Sequence, residues 1–278
     1  MGEEYAFGIA VDDSSNTYVT GLIDATDTAF GNKAQCANHT IFIARYNSNG
    51  SPKWLTKLGT SGTNIGWGIT VDKDQDVYAV ATFQDTLRTP VDTLVGAGFM
   101  DILVAKYNAQ GTLLWAKNAG GLLGDYGYAV ATDSKNNVYV AGSFFDTAVF
   151  SGTVLTSGGR SDAFLAKYDS NGNIKWAVNA GGKNATEDAE AYAIAIDRYD
   201  HIYLTGKFGG ASVFSSDTLI SRGGSDIFIS KYDTSGVFQW VQQAGGIGTD
   251  IGQGIKTDES GSVVVSGYFS SSAVFDQD

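Results

Sequence analysis

The feature that most constrains this chain is that it repeats itself. One segment recurs five times, as FGIAVDDSSNTYVTG, WGITVDKDQDVYAVA, YAVATDSKNNVYVAG, YAIAIDRYDHIYLTG and QGIKTDESGSVVVSG, with shared aspartates Asp12, Asp72, Asp133, Asp197 and Asp258. A second recurs four times, as TIFIARYNSNGSPKWLTKLG, DILVAKYNAQGTLLWAKNAG, DAFLAKYDSNGNIKWAVNAG and DIFISKYDTSGVFQWVQQAG, with tryptophans Trp54, Trp115, Trp176 and Trp240. The aspartates stand 60, 61, 64 and 61 residues apart and the tryptophans 61, 61 and 64. Two independent markers holding one spacing define a tandem repeat, a design in which each copy buries its apolar face against the next.

Each segment reads as a β-hairpin, two β-prone runs around a short Asp/Asn/Ser/Gly turn. The second hairpin turns through Asn47–Gly50, Asn108–Gly111, Asp169–Gly172 and Asp233–Gly236, and a glycine in fourth place suits a residue at positive φ. Two hairpins make a four-stranded antiparallel sheet, the size of one propeller blade. No window keeps a 3.6-residue apolar period, which excludes a helical solenoid. The first strand explains how such sheets stack: Ala6, Gly8 and Ala10, or Ala191, Ala193 and Ala195, alternate with Phe7, Ile9 and Val11, or Tyr192, Ile194 and Ile196. One face is nearly flat and the other bulky, so neighbouring sheets interlock near a crowded axis. The tryptophans are expected to pack between blades further out.

The expected fold is therefore an all-β propeller of about five four-stranded antiparallel blades in a single domain over residues 1–278. The repeats fall at approximately 4–60, 64–121, 125–182, 189–246 and 250–278, the last a half repeat. Five first hairpins stand against four second ones. Either the fifth blade is two-stranded, or the chain is a fragment of a larger propeller, and the count favours the fragment. An incomplete last blade would also offer an edge for self-association.

The pattern AYAIAxDxxxNxYVTGxF followed by DxFLAKYDxNGxxxW resembles the SBBP family of bacterial β-propeller repeats. More loosely, the first hairpin is similar to NHL-type repeats. The resemblance extends over essentially the whole chain. It implies a propeller, an extracellular or cell-surface setting, and no invariant catalytic residues. Ala81 departs from the pattern where other copies have Gly21, Gly142, Gly206 and Gly267, and the fifth copy has Val264 and Gln253 in place of aromatic residues.

Composition narrows the function classes. A formal net charge of −12 argues against nucleic acid and anionic membranes, which require a basic face. The lone Cys36 allows no intrachain disulfide or thiolate cluster. No apolar run is long enough for a membrane-spanning helix, and MGEEYAFGIAV is not a signal peptide. No GxSxG, HExxH or phosphate loop is present, so no enzyme activity and no cofactor are expected.

The best candidate site is the segment leading into each first strand. Five residues before the shared aspartates stand Phe7, Trp67, Tyr128 and Tyr192; three residues earlier stand Glu4, Asn64, Asp125 and Asp250, with Ala189 and Glu190 at that place in the fourth copy. Aromatic rings beside carboxylates at a central opening suit a sugar or a cation. The bland alternative is that the rings pack between blades and the acids are solvated. Asp72, Asp74 and Asp76 resemble the start of a calcium loop, but no glutamate closes it at Phe83, and a hairpin turn is the better reading. Arg45, Lys106, Lys167 and Lys231 read as exposed stems covering apolar surface. Sequons at Asn38 and Asn184 matter only in a eukaryotic secretory host. The expected role is a non-enzymatic binding or scaffold module of a larger surface or secreted protein, meeting a protein or glycan at the loop face; the alternative is a lectin-like or carbohydrate-active propeller.

Overall fold

The computed structural model describes residues 4–23, 39–60, 62–182 and 188–275, and every regular element among them is a β-strand. Cys36 and the sequon asparagines Asn38 and Asn184 lie outside the described residues. The first unit is the antiparallel sheet β1 (Tyr5–Val11), β2 (Thr17–Ile23), β3 (Thr40–Tyr46) and β4 (Pro52–Leu58), in that order. The second runs β5 (Asn64–Val71), β6 (Val77–Phe83), β9 (Asp101–Tyr107) and β10 (Leu113–Ala119). The third runs β11 (Tyr126–Thr132), β12 (Val138–Phe150), β13 (Thr153–Tyr168) and β14 (Ile174–Asn179). The fourth runs β15 (Ala189–Ile196), β16 (Ile202–Phe208), β19 (Asp226–Tyr232) and β20 (Phe238–Gly246). Strands β21 (Ile251–Thr257) and β22 (Val263–Tyr268) pair by themselves as the fifth, half unit.

The two-hairpin reading of the repeat is incomplete. Between second and third strands the chain makes an excursion hairpin, formed by β7 (Thr86–Arg88) with β8 (Thr93–Val95) and by β17 (Ala211–Phe214) with β18 (Asp217–Ile220). In the third unit the same hairpin is the outer part of β12 and β13, where Thr147–Phe150 pairs with Thr153–Thr156. These excursions reach the preceding unit: Val149 bridges Gly120, and β23 (Ala273–Phe275) adds to the edge of β20.

Units stack in chain order through their inner strands. β5 packs on β1, β2 and β3; β11 on β5, β6 and β9; β15 on β11, β12 and β13; β21 on β15, β16 and β19. The small residues permit this approach. A side chain on Gly68 would put its Cβ 2.9 Å from the Tyr128 carbonyl oxygen of the next inner strand. The bulky alternates, such as Ile69, fill the core built by Tyr18, Ile41 and Ile43 of the preceding unit.

A second connection holds the outer part of the first three joints. The shared aspartate closes its turn by accepting backbone N–H groups two and four residues ahead, as Asp72 does from Asp74 and Asp76, both at 2.9 Å. Its other oxygen accepts the tyrosine hydroxyl six residues ahead: Tyr18, Tyr78, Tyr139 and Tyr203, at 3.0–3.1 Å. Each of these rings lies against the tryptophan of its own unit, with centroids 5.9–6.3 Å apart. The cation of the third strand sits over the same ring at 5.5, 5.1, 4.9 and 5.1 Å for Arg45, Lys106, Lys167 and Lys231. In the first two joints tryptophan and cation then donate to one carbonyl in the outer turn of the next unit, and in the third Lys167 reaches Thr234 O at 3.0 Å. Trp54 Nε1 and Arg45 reach Ala109 O at 3.0 and 2.7 Å, and Trp115 Nε1 and Lys106 reach Ser170 O at 3.0 and 3.3 Å.

This corrects the expectation of exposed basic stems. Lys106 is buried and also pairs with Asp76 at 2.8 Å, because its ammonium is a working part of the joint. It corrects the calcium-loop alternative too: Asp72 is spent on its turn and on Tyr78, Asp76 on Lys106, and Asp74 accepts from Asn136 of the next unit.

The turn glycine is held to the same joint. Gly50, Gly111 and Gly172 share φ near +80°, yet a Cβ on Gly111 would lie 2.7 Å from Trp54 and one on Gly172 2.8 Å from Trp115, whereas Gly50 has nothing within 4 Å. Gly50→Ala should therefore cost only the left-handed backbone penalty of about 1–2 kcal/mol. Gly111→Ala and Gly172→Ala should cost that plus displacement of a tryptophan, about 1–3 kcal/mol more. Urea unfolding of the three variants checks the ranking; equal losses would mean that the ring does not press on the turn.

Candidate functional site

Each inner strand carries a β-bulge at the position where the aromatic series stands. The register against the second strand shifts between Ala6 and Gly8, Gly66 and Gly68, Gly127 and Ala129, Ala191 and Ala193, and Gly252 and Gly254. The residues left without a partner are Phe7, Trp67, Tyr128, Tyr192 and Gln253. They belong to strands rather than to the loop that precedes them, and the bulge re-aims their side chains. All five line one cavity of about 490 Å³, together with Ile251 and Tyr268.

The rings form a continuous wall. Centroids are 4.9 Å apart for Phe7–Trp67, 5.5 Å for Trp67–Tyr128 and 5.1 Å for Tyr128–Tyr192. Their polar ends are turned to protein partners: Trp67 Nε1 donates to Thr82 Oγ1 at 3.0 Å, and the hydroxyls of Tyr192 and Tyr128 donate to Glu190 at 2.8 and 3.3 Å. Lys207 pairs with the other oxygen of Glu190 at 3.0 Å. Burial, and next the Glu190 charge, hold both tyrosine hydroxyls far above the ordinary phenol range, so neither ionises near neutrality. The Glu190 carboxylate behind the wall is thus already paired with a lysine and two phenols. Gln253, exposed at the gap in the ring series, presents an amide with both donor and acceptor character.

The acids expected beside these rings are elsewhere. Asn64, Asp125 and Asp250 are fully buried at the joints between units. Asn64 donates to the carbonyls of His39 and Gly62 and accepts from Thr60. Asp125 accepts from Gly121 N and Phe145 N at 2.6 and 3.2 Å, and Asp250 from Gly246 N and Ser270 N at 2.7 and 2.9 Å. They tie the end of one unit's outer strand to the next unit, which is why they are neither solvated nor at the cavity. Glu4 is exposed and does not line it. The true neighbour of the rings is Glu190. Parallel bridges Met100–Gly124, Ser161–Asp188 and Ser225–Thr249 show why: they align Ala189 with Asp125 and Asp250, and put Glu190 one place further on.

Two joints hold a pair of buried carboxylates. A Cβ on Gly120 would lie 2.3 Å from Asp101 Oδ1 and 3.0 Å from Asp125 Oδ2; one on Gly245 would lie 2.6 Å from Asp226 Cγ and 2.8 Å from Asp250 Oδ2. Asp101 spends Oδ2 on Ala97 N and Gly98 N, and its buried Oδ1 has no hydrogen-bond partner. Burial raises the Asp101 carboxyl above its ordinary range. It pushes Asp125 up to about 7, against backbone hydrogen bonds that pull it down and with the Asp101 charge adding to the rise. Asp125 keeps a proton in the folded state that the unfolded chain releases near pH 4. Its stabilisation is therefore complete below that pH and lost as pH rises through about 7. Asp125→Asn is neutral at every pH and should flatten this loss, on the order of a few kcal/mol. Melting temperature against pH from 4 to 8 checks it; an unchanged slope in the variant would refute the raised Asp125 carboxyl.

Residues 114–143 match the family model of the SBBP beta-propeller repeat, a stretch that crosses one joint from β10 through β11 into β12. That stretch carries a β-propeller repeat of the SBBP type. An uncharacterized WD repeat-containing protein, L264, of Acanthamoeba polyphaga mimivirus is 23% identical over 297 residues, covering 90% of this chain and 21% of its own length. The regulatory protein FlaEY of Caulobacter vibrioides is 29% identical over 169 residues, covering 59% of this chain and 17% of its own length. The chain thus spans about a fifth of the curated relatives it matches. Among solved structures, a protein of unknown function from Bacteroides caccae covers 86% of this chain and 82% of its own at 8% identity and TM-score 0.40. The Hadza microbial sialidase Hz136 covers 90% and 60% at 9% identity and TM-score 0.41.

Proposed function

We propose that this β-propeller repeat module is a non-enzymatic binding part of a larger extracellular or surface protein, and that its ligand is a neutral saccharide held in the axial aromatic cavity. The observation that carries the reading is the convergence of Phe7, Trp67, Tyr128, Tyr192 and Gln253 on one cavity of about 490 Å³. Four rings, each tilted or edge-on to the next, supply a continuous apolar wall, and Gln253 offers a donor and an acceptor beside it. A sugar ring, with one C–H face and a rim of hydroxyls, complements both.

Charge helps to choose among ligands. A quaternary ammonium would use the rings, but the carboxylate behind them is already paired with Lys207 and with two phenols. An anion would meet a chain of net charge −12. A neutral, amphipathic ligand suffers neither disadvantage. Five blades about one axis are the propeller count this reading adopts, the fifth being the half unit β21–β22.

A glycan array followed by titration of Trp67 fluorescence tests the proposal. Bound saccharide should change the emission. Trp67→Ala should weaken binding by about 10- to 100-fold, in keeping with loss of a buried aromatic contact, while Gln253→Ala shifts the preference among hydroxyl epimers. Failure to bind any glycan would leave the scaffold role, with a protein partner at the same face, as the better reading.

A further inference from the structure

The joints between units do not all neutralise their buried acids in the same way. Asp101, Asp162 and Asp226 are one residue of the repeat, and all three are wholly buried. Each accepts the backbone N–H of the residue four places earlier, from Ala97, Gly158 and Arg222. In the third and fourth units the amide seventeen places later, Asn179 or Gln243, also donates to the carboxylate. In the second unit the equivalent Asn118 gives its amide to Val95 O at 2.9 Å and none to Asp101.

The surrounding charges differ as well. The third joint has Ala189 where the second and fourth have Asp125 and Asp250. The fourth has a cation of its own: the Arg222 guanidinium donates at 3.4 Å to the carbonyl of Gly245, which lies against Asp226 and Asp250. In the second joint Ala97 stands at the place of Arg222, and no lysine, arginine or histidine among the described residues pairs with Asp101 or Asp125. Asp101 Oδ1, buried and without a partner, is aimed at Asp125. The point where a Cβ on Gly120 would stand is 2.3 Å from Asp101 Oδ1 and 3.0 Å from Asp125 Oδ2. A buried carboxylate oxygen left without a partner is costly, so a positive ligand in this gap is stabilising.

We infer that the second joint binds a divalent cation, calcium by the type of its donors, between Asp101 Oδ1 and Asp125 Oδ2. Carboxylate oxygens are the hard ligands that calcium takes at about 2.3–2.6 Å, and a site made of oxygen alone disfavours zinc and copper. Among the described residues no third acid, histidine or cysteine joins the pair, so carbonyl oxygens and water complete the shell. Two carboxylates place the affinity in the weak range, at about 10⁻⁴–10⁻³ M. Asp101 belongs to β9 and Asp125 directly precedes β11, so the ion fastens the second unit to the third. The inference is independent of what occupies the axial cavity.

Melting of the chelator-treated chain at pH 8, where Asp125 is ionised, tests it, with calcium, magnesium or sodium added at one ionic strength. Calcium at about 10 mM should raise the melting temperature by on the order of 2–4 °C over sodium. Asp101→Asn should abolish that rise. Ala97→Arg, at an exposed position, gives the second joint the cation of the fourth. It should raise the melting temperature in sodium and remove the response to calcium. Because it keeps both acids, it decides the matter even if Asp101→Asn does not fold. No rise over sodium, or a calcium response that survives in either variant, would overturn the inference, and an equal rise with magnesium would overturn the choice of calcium.

Discussion

A propeller repeat is stable only if each sheet is fixed to the next, and here that task falls on a tyrosine held at both ends. An aspartate in the first turn grips its hydroxyl, a tryptophan covers one side of its ring, and a lysine or arginine sits over it. The tryptophan and the cation then reach together for a single carbonyl in the next outer turn. Separately these contacts are modest: about 1 kcal/mol for a hydrogen bond and about 0.5–2 kcal/mol for a cation over a ring. Their value lies in being mutually positioned. The cation cannot lie over the ring and reach Ser170 O unless the Asp72 turn, Tyr78 and Trp115 are all in place. The first two joints share the whole set and the third keeps its lysine contact to Thr234 O, so these units are set against their neighbours in nearly the same way.

The cavity follows from that arrangement. Stacked inner strands would ordinarily turn alternate side chains towards neighbouring sheets, and a bulge in each strand sets one residue outside that alternation. Repeating the bulge in every unit gathers five such residues around the axis. The fifth copy then departs from the rest: Gln253 replaces a ring, and Lys256 stands at the opposite end of the axis where the other copies have Ala10, Thr70, Ala131 and Ala195. A repeated scaffold thus acquires a directional site from the divergence of a single unit.

How much of this could be read from the chain depends on whether the signal is local. The repeat length, the hairpins, the small inner face and the packing of the tryptophans between units all follow from spacing and side-chain size. The bulge does not, since one extra residue leaves an alternating sequence looking regular while changing which partner each residue meets. The excursion hairpins escaped because segments such as DTLR and ASVF are short and differ between copies. Lys106 looked like a solvated stem because its partners, Asp76 and Ser170 O, come from another strand and another unit. For the same reason Asp125 looked like a site residue: its partners Gly121 N and Phe145 N lie four residues upstream and twenty downstream, and neither is evident from its neighbours in sequence.

The joints nevertheless differ at the end where those carboxylates lie. The first has Thr40 and Asn64, the second Asp101 and Asp125, the third Asp162 and Ala189, and the fourth Asp226 and Asp250. Asn64 satisfies its surroundings without charge, through two carbonyls and a hydroxyl. The second joint instead buries two carboxyls, and burial holds the Asp125 proton up to about pH 7. Local opening begins where the local free energy is lowest. The boundary between the second and third units carries this pH dependence in addition to its tryptophan clamp. The aromatic wall crosses the same boundary between Trp67 and Tyr128, so a loosening there would reach the wall of the cavity.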